Sequence, residues 1–394
     1  MSIRQKLQSF VKYNGMVYVV YYHVASVAMR LVGRFVRTDA SLVLFNSYAG
    51  RKYDDSPKAV YEAMRSDPRF SSYRVVWAFH DPDAFEVPDA EKIRTDTPRY
   101  FLTALRARVW LTNSSVERGL RFKKRGTLYV NTWHGTPIKQ MGTDVGEDNK
   151  SFRSRGTGEI DAFCVQGEYE AEIFGRAFCI PEEKILRSGL PRNDELARAD
   201  EGRRRSLRAS LGIPDGRRVV LYCPTFREYD QVAGHAVAMK PPMDLGFWER
   251  ELGETHVLLV RAHYEVTRAM EIADSPFVKD VSAYPSLNEL IIASDVLVSD
   301  YSSVFFDYSI TGKPMLHFCY DYDEYQEKRG MYFDVREWLS GSATEKGLID
   351  ALKSLDVSRE SVRTMAFRNR FVDYSGNASR IVLDRLYELL NEGR

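Results

Sequence analysis

The sequence predicts an α/β protein made of two doubly wound domains that face each other across a cleft. From residue 40 onward, short runs of β-branched and aromatic residues alternate with longer helical stretches, which is typical of parallel sheets. The 394 residues are enough for about two to three domains. A stretch dense in Arg, Asp and Gly, residues 200–218, divides the strands into two series. We therefore expect ligands at the carboxyl ends of the strands, inside the cleft.

Each predicted strand is a short apolar run that ends in turn residues or precedes a helix. A helix is expected over residues 287–293, and an amphipathic helix over 381–390 is expected to return and brace the first domain. The predicted domains are residues 39–205 and 206–375, followed by a C-terminal helix within 376–394. The predicted strands cover residues 42–46, 74–79, 109–112, 128–131, 162–165 and 185–188 in the first series, and 219–223, 257–260, 296–299 and 315–318 in the second.

The N-terminal segment, residues 1–38, carries six basic residues and no acidic residue. Its uncharged stretch over residues 13–29 falls short of the roughly 20 residues that a spanning helix needs. Polar residues recur at steps of three and four on a mostly apolar helix, which predicts a basic amphipathic helix lying on an anionic membrane surface. The alternative is a helix packed on the core of the protein. The polar positions are His23, Ser26, Arg30, Arg34 and Arg37, and the apolar ones include Val20, Val24, Val27, Leu31, Val32 and Phe35.

Composition excludes other classes of protein. The 56 Lys and Arg residues nearly balance the 55 Asp and Glu residues, so a basic protein that coats nucleic acid is excluded. The four cysteines, Cys164, Cys179, Cys223 and Cys319, are scattered without a C-x-x-C pair. They are predicted to be buried free thiols in a reducing compartment, with two disulfides as the alternative.

Two motifs with histidines follow predicted strands. In N-T-W-H-G-T-P, residues 131–137, His134 stands beside a glycine, and its near-neutral pKa suits a general base that takes a proton from a hydroxyl. The alternative is a core histidine in a tight turn. In R-A-H-Y, Arg261 and His263 alternate, so only one is expected to face the cleft, where a cation would stabilise phosphate charge. The alternative is a pair that bonds the backbone.

Anion-binding candidates follow other strands. Ser302 and Ser303 in S-D-Y-S-S precede a helix expected to reach about residue 310, and free N–H groups at a helix start attract anions. The alternative is a capped helix without a ligand. Arg192 and Arg227 each follow a strand and are candidates to grip a phosphate or, alternatively, to form ion pairs. The D-x-D spacing at 321–323 gives a pair of carboxylates, for which a structural role is favoured. The alternative is that the pair holds a divalent cation, which is the only cofactor that the sequence suggests.

Taken together and in order over residues 42–334, these motifs resemble the CDP-glycerol glycerophosphotransferase family of teichoic-acid and capsule polymer biosynthesis. The series is N-T-W-H-G-T-P, G-L-P-R-N-D, Y-C-P-T-F-R, R-A-H-Y, S-D-Y-S-S with F-D-Y, G-K-P and R-G-M-Y-F-D. The resemblance implies a GT-B fold and a peripheral enzyme on the cytoplasmic face of a bacterial membrane. The implied reaction moves glycerol phosphate from CDP-glycerol to a hydroxyl of a lipid-linked saccharide or poly(glycerol phosphate) acceptor and releases CMP.

The resemblance also implies roles for residues. His134 matches the base, while His263, Ser302 and Ser303 match the CDP-pyrophosphate site. Closure of the cleft is expected to bring the two groups together. One departure is Tyr264, which stands where many members have proline. The remaining candidates for the substrate pocket are Asp300, Thr225, Arg227, Arg261, Arg192 and Asn193.

Three other functions remain open from the sequence. The first is a CDP-ribitol ribitolphosphotransferase, since no motif distinguishes a three-carbon from a five-carbon polyol. The second is a GT-B glycosyltransferase that uses a sugar nucleotide, because one fold supports many donors. The third is a catalytically silent membrane binding subunit.

Overall fold

The computed structural model describes residues 15–145, 159–227, 231–232, 235–236, 241–262, 270, 272 and 274–392. In this part of the chain, two parallel sheets carry the fold. We call the half of the molecule built on the first sheet the N-terminal half, and the half built on the second sheet the C-terminal half. The α/β architecture predicted from the alternating apolar runs is confirmed.

The first sheet has seven strands in the order β3-β2-β1-β4-β5-β6-β7, all paired in parallel. All six predicted strands are present, and three have the predicted bounds. The short β3 escaped prediction because only Ile93 of its four residues is buried. The strands are β1 (Asp39–Asn46), β2 (Arg74–Phe79), β3 (Glu91–Arg94), β4 (Ala107–Thr112), β5 (Leu128–Asn131), β6 (Ala162–Val165) and β7 (Ile185–Arg187).

The second sheet has six strands in the order β12-β11-β8-β13-β14-β15, again all parallel. The four predicted strands form its centre. The edge strands β12 and β15 have only three and two residues, too few to show a period. The strands are β8 (Arg218–Cys223), β11 (His256–Val260), β12 (Val278–Asp280), β13 (Val296–Ser299), β14 (Met315–His317) and β15 (Ser340–Gly341); β9 (Gln231–Val232) and β10 (His235–Ala236) form a separate antiparallel pair.

Helices cover the sheets, and two of them test the sequence predictions. Residues 200–218, where the sequence placed the division between the two strand series, contain a helix, α6, that packs against α8. The C-terminal helix α13 packs against α2, which confirms the expected brace. The helices in the described residues are α1 (Gly15–Phe35), α2 (Asp55–Arg65), α3 (Pro98–Arg106), α4 (Glu168–Ala177), α5 (Asp194–Arg198), α6 (Glu201–Ser210), α7 (Leu245–Leu252), α8 (Leu287–Ala293), α9 (Val304–Ser309), α10 (Tyr322–Arg329), α11 (Glu345–Lys353), α12 (Val357–Phe371) and α13 (Ala378–Asn391).

The two halves share packing and backbone hydrogen bonds. The ring of Tyr169 on α4 lies 6.2 Å from that of Phe306 on α9 and 5.0 Å from that of Phe371 on α12. The amide of Tyr332 donates to the carbonyl of Ile138 at 2.8 Å. These contacts fix the segment that follows the His134 motif against the C-terminal half.

Helix α1 packs on the body through a narrow face of small residues. Ser26 is buried, its Oγ accepts from the amide of Arg121 at 3.0 Å, and Gly33 lies against Leu105. The predicted polar stripe is therefore wrong at Ser26, which faces the protein. The outward face is apolar and exposed, with Phe35 90% accessible, and no described helix is long and apolar enough to cross a membrane. The outward apolar stripe consists of Val20, Val24, Val27, Leu31 and Phe35.

All four cysteines are free. Cys164, Cys223 and Cys319 are buried, as predicted. Cys179 is exposed, so the expectation of burial is wrong at that position.

Candidate active site

The loop that carries His134 begins where β5 ends. Trp133 adopts a left-handed backbone conformation, φ +52°, and its indole Nε1 donates to the carbonyl of Gly135 at 2.9 Å. The Trp133 and His134 ring centroids are 4.3 Å apart. Residues held in sparsely populated conformations cluster at functional sites because the surrounding structure must over-determine them. The loop therefore holds the imidazole of His134 in a fixed position.

One ring nitrogen of His134 is engaged by the protein. Nδ1 lies 2.7 Å from the carbonyl oxygen of Asn113, just beyond β4. Because a carbonyl only accepts, Nδ1 carries the proton of the neutral ring and Nε2 carries the lone pair. Burial lowers the pKa of His134 below its ordinary value of 6.5. At neutral pH the imidazole is therefore an uncharged base with Nε2 as its accepting atom.

The serines of the C-terminal half lie directly opposite this loop. A Cβ placed on Gly135 would stand 2.7 Å from Ser303 Oγ. Ser302 Oγ accepts from the amide of Val304 at 3.3 Å, whereas Ser303 makes no side-chain cap of α9. Ser302 therefore makes the kind of contact that the alternative of a capped helix predicted, whereas Ser303, at the N-cap position, does not. The structure already brings the base and the serines together, although closure of the cleft was expected to do so.

These residues line a cleft of about 880 Å³ between the two halves. Arg261 also lines it, with Nη1 donating to the carbonyl of Tyr284 at 2.6 Å. His263, its predicted partner, and Tyr264 lie outside the described residues. The candidate site therefore combines a neutral base from one half with hydroxyls and a guanidinium from the other.

Arg192 lies in the cleft, but its guanidinium is occupied by carboxylates. Nη1 is 2.7 Å from Asp55 Oδ2, and Nη2 is 2.9 Å from Asp307 Oδ2. Asn193 Nδ2 donates to Asp307 Oδ1 at 2.7 Å. The expectation that Arg192 grips a phosphate, with Asn193 beside it, is not supported by this geometry. Both residues instead join the two halves.

Arg227 is buried and holds the C-terminal half together. Its Nε and Nη2 contact the Asp321 carboxylate at 2.7 and 2.9 Å, and its Nη1 contacts Asp300 at 2.9 Å. The amide of Thr225 donates to Asp300 Oδ1 at 2.9 Å. With its side chain only 1% exposed, Arg227 has no access to a phosphate. The structure thus gives Arg227 carboxylate partners, which is the ion-pair alternative that the sequence left open.

The D-x-D spacing has the structural origin that the sequence favoured. Asp321 is committed to Arg227, while Asp323 is exposed on α10. Within the described ranges, no group of three or more His, Cys, Asp or Glu side chains is arranged to hold a metal ion.

Sequence reasoning missed several residues of the cleft. Tyr48 Oη donates to Asp55 Oδ2 at 2.5 Å, and both residues have positive φ values, +47° and +66°. Tyr48 lies two residues after the last residue of β1, so the rule that sites lie at strand ends could have found it. Asp307 stands in the F-D-Y motif, and Asn288 lies on α8. Asn113 has no polar periodicity or motif around it that signals its contact with His134.

The chain is similar to known proteins over most of its length. Residues 28–388 match the family model of CDP-glycerol:poly(glycerophosphate) glycerophosphotransferases. The chain is 34% identical to a teichoic acid poly(glycerol phosphate) polymerase of Staphylococcus epidermidis, with 89% of this chain but only 51% of that protein aligned. It is 30% identical to a teichoic acid glycerol-phosphate transferase of Staphylococcus aureus, with 88% of this chain and 93% of that protein aligned. The chain thus spans about half of one relative and nearly all of the other.

The fold is also that of a solved enzyme. The structure of the wall teichoic acid polymerase TagF superposes with a TM-score of 0.84 at 30% identity, and the match covers 100% of both chains. A histidine-to-asparagine variant of that polymerase has been soaked with CDPG. This likeness confirms the predicted GT-B architecture. The chain belongs to the CDP-glycerol:poly(glycerophosphate) glycerophosphotransferase family.

Proposed function

We propose that this protein transfers glycerol phosphate from CDP-glycerol to a hydroxyl of a lipid-linked teichoic-acid acceptor and releases CMP. The observation that carries the proposal is the juxtaposition across one cleft of His134, with its Nε2 lone pair, and Ser302 and Ser303. Membership of the family and the activities of the relatives supply the donor and the polymer.

The reaction follows from the chemistry of this cleft. The acceptor hydroxyl attacks the glycerol-bearing phosphorus, a new P–O bond forms, and the P–O bond to the CMP phosphate breaks. His134 Nε2 takes the hydroxyl proton during the attack. Ser302, Ser303 and Arg261 stabilise the charge of the diphosphate and of departing CMP, because phosphoryl transfer depends mainly on positioning and electrostatics.

The two halves then have different tasks. We assign the acceptor to an N-terminal domain over residues 39–205, which supplies His134, and the donor to a C-terminal domain over residues 206–375, which supplies the serines and Arg261. The acceptor-side assignment is supported by the position of the base, since the base must contact the attacking hydroxyl.

We further propose that α1 holds the enzyme on the cytoplasmic face of the membrane, where a lipid-linked acceptor resides. The support is the outward apolar stripe defined above, in which Val24 is 65% and Val20 58% exposed. Arg30, Arg34 and Arg37 are exposed beside it, as suits anionic headgroups. Because α1 is docked on the body, the cleft has a fixed orientation relative to this surface.

The experiment is a donor screen with purified protein, a prenyl-diphosphate-linked saccharide and a glycerol-phosphate acceptor, read as nucleotide release. CDP-glycerol is expected to yield CMP only when acceptor is present. Faster turnover with CDP-ribitol than with CDP-glycerol would identify ribitol phosphate as the transferred group. Release of UDP from a UDP-sugar would identify the enzyme as a glycosyltransferase. Binding of CDP without CMP release from any donor would indicate a silent binding subunit.

A further inference from the structure

A buried ion-pair cluster joins the two halves beside the candidate active site. Arg192, on the loop after β7, lies between Asp55 of α2 and Asp307 of α9. The Arg192 side chain is 12% exposed and each carboxylate 3%. Removing one partner of such a buried pair leaves an uncompensated charge, so the three side chains constrain one another.

On the N-terminal side, hydrogen bonds lead from this cluster to the base. Asp55 Oδ2 accepts from Tyr48 Oη at 2.5 Å, and the amide of Tyr48 donates to Asn113 Oδ1 at 2.7 Å. The carbonyl of Asn113 in turn accepts from His134 Nδ1 at 2.7 Å. The Tyr48 ring centroid lies 5.9 Å from that of His134. The contact that sets the tautomer of His134 is therefore tied to Asp55 through Tyr48.

On the C-terminal side, the cluster is tied to the serines. Asp307 lies one turn after Ser303 on α9, and the carbonyl of Ser303 accepts from the amide of Phe306 at 3.1 Å. Arg192 Nη2 also lies 4.0 Å from the Cβ position of Gly135. The cluster thus lies between the element that holds the base and the element that holds the serines.

We propose that Arg192 is a positioning residue of the transfer reaction: by holding Asp55 and Asp307 together, it fixes His134 relative to Ser302 and Ser303, and it does not bind the donor phosphates. The inference rests on the proposed function. Two carboxylates already neutralise the guanidinium, so its attraction for a diphosphate is small. A misplacement of about 1 Å between reacting groups costs on the order of 100-fold in rate.

The first test separates positioning from phosphate binding in the full chain. Arg192→Lys keeps the charge but cannot contact both carboxylates in the same planar geometry. We expect kcat for CMP release to fall about 10- to 100-fold while the Kd for CDP, measured by calorimetry, changes less than about twofold. Loss of CDP affinity in proportion to activity would overturn the proposal and make Arg192 a donor ligand.

A matched control is Arg187→Lys. Arg187 also contacts two carboxylates, Glu168 and Glu182, but lies outside the cleft. We expect both its kcat and its CDP affinity to equal those of the unchanged protein. An equal loss of kcat in this control would show that the effect follows from losing any such pair, and would contradict the proposal. Absence of CMP release by the unchanged protein would instead reject the proposed function.

The second test uses the pH profile, which a merely structural role would not displace. The charged groups that act on His134 are Asp55 and Arg192, and Tyr48 is its titratable ring neighbour. Asp55 raises the pKa of His134 and Arg192 lowers it. In Asp55→Asn the acidic limb of kcat/KM is expected to move to lower pH, and in Arg192→Gln to higher pH. If the acidic limb of the kcat/KM profile has the same midpoint in both variants as in the unchanged protein, the proposal is overturned.

Discussion

Gly135 and Ser303 meet across the cleft so closely that a side chain at position 135 would require Ser303 to shift. A Cβ on Gly135 would lie 2.7 Å from Ser303 Oγ and 3.1 Å from Ser303 Cβ. Close approach to the other half of the molecule therefore favours a glycine next to the base. Its backbone φ is not in the left-handed region, so space alone decides the substitution.

Gly135→Ala is accordingly expected to push the base and the serines apart. Overpacking costs about 1–3 kcal/mol of folding free energy, and we expect kcat to fall at least about tenfold. Gly126→Ala is the control, because its added Cβ meets only Thr38 Oγ1 at 4.0 Å. Adding Ser303→Gly to Gly135→Ala is expected to restore the melting temperature but not the activity. A fully active Gly135→Ala enzyme would contradict the close contact.

The pH dependence of kcat/KM is expected to report His134. Its pKa is lowered by burial, so the ring is neutral above its ordinary value of 6.5 and becomes protonated only at lower pH. Activity is therefore expected to be flat between pH 7 and 8 and to fall below a midpoint that is under 6.5. A midpoint above 7 would show that a different group, or a charged His134, controls the reaction.

Arg227 is expected to matter for stability rather than for donor contact. Arg227→Lys breaks the two-atom contact with Asp321 and leaves carboxylates incompletely paired in a buried place. Breaking a buried pair costs about 3–5 kcal/mol, which urea unfolding would measure. In the folded fraction at low temperature, the KM for CDP-glycerol is expected to stay within about threefold. A large rise in the KM for CDP-glycerol with an unchanged free energy of unfolding would show instead that Arg227 contacts the donor.

The G-K-P motif is explained by a helix end. Lys313 Nζ donates to the carbonyls of Ile291, Ile292 and Ser294 at 3.2, 2.9 and 2.7 Å, which satisfies the C-terminus of α8. Lys313→Met is expected to cost about 1–3 kcal/mol in urea unfolding, because buried carbonyls lose their donor. Lys353→Met, at an exposed ion pair with Glu251, should change stability by less than about 1 kcal/mol. Equal effects of the two variants would refute this role.

Membrane binding is expected to depend on the apolar stripe of α1. The double variant Val24→Asp and Leu31→Asp places charge where we propose contact with lipid, so binding to anionic vesicles should fall at least tenfold while the fold is kept. Val362→Asp, at a 70% exposed position on α12, is the matched control and should bind like the unchanged protein. Equal binding of all three proteins in a vesicle flotation assay would contradict the assignment.

The sequence predicted the strands well where burial was continuous. The centre of the second sheet is an example, since β13 consists entirely of buried residues and has the predicted bounds. The edge strands β3, β12 and β15 have only two to four residues and were missed, although β7, an edge strand of three residues, was predicted. Residues 200–218, taken from their Arg, Asp and Gly content as the division between the two strand series, also contain α6, whose arginines pair with Asp295.

The sequence predicted which motifs contribute to the candidate site, but not which charged side chains pair with each other there. His134, Ser302 and Ser303 were found because they follow strands, and the structure places them in one cleft. An arginine in a strand-end loop suits a phosphate or a carboxylate equally well, and only the fold brings Asp55 and Asp307 to Arg192 and brings Asp321 to Arg227. Long-range pairings of this kind depend on tertiary contacts that local sequence does not encode.

The role of His134 as the base is tested most directly by CMP release from CDP-glycerol in the presence of a lipid-linked acceptor, measured for His134→Ala and for His80→Ala. His80 is an exposed histidine outside the cleft. A general base contributes about 100- to 10,000-fold, so kcat should fall by that factor in His134→Ala, with CDP affinity retained, and should be unchanged in His80→Ala. Full activity of His134→Ala would contradict the account.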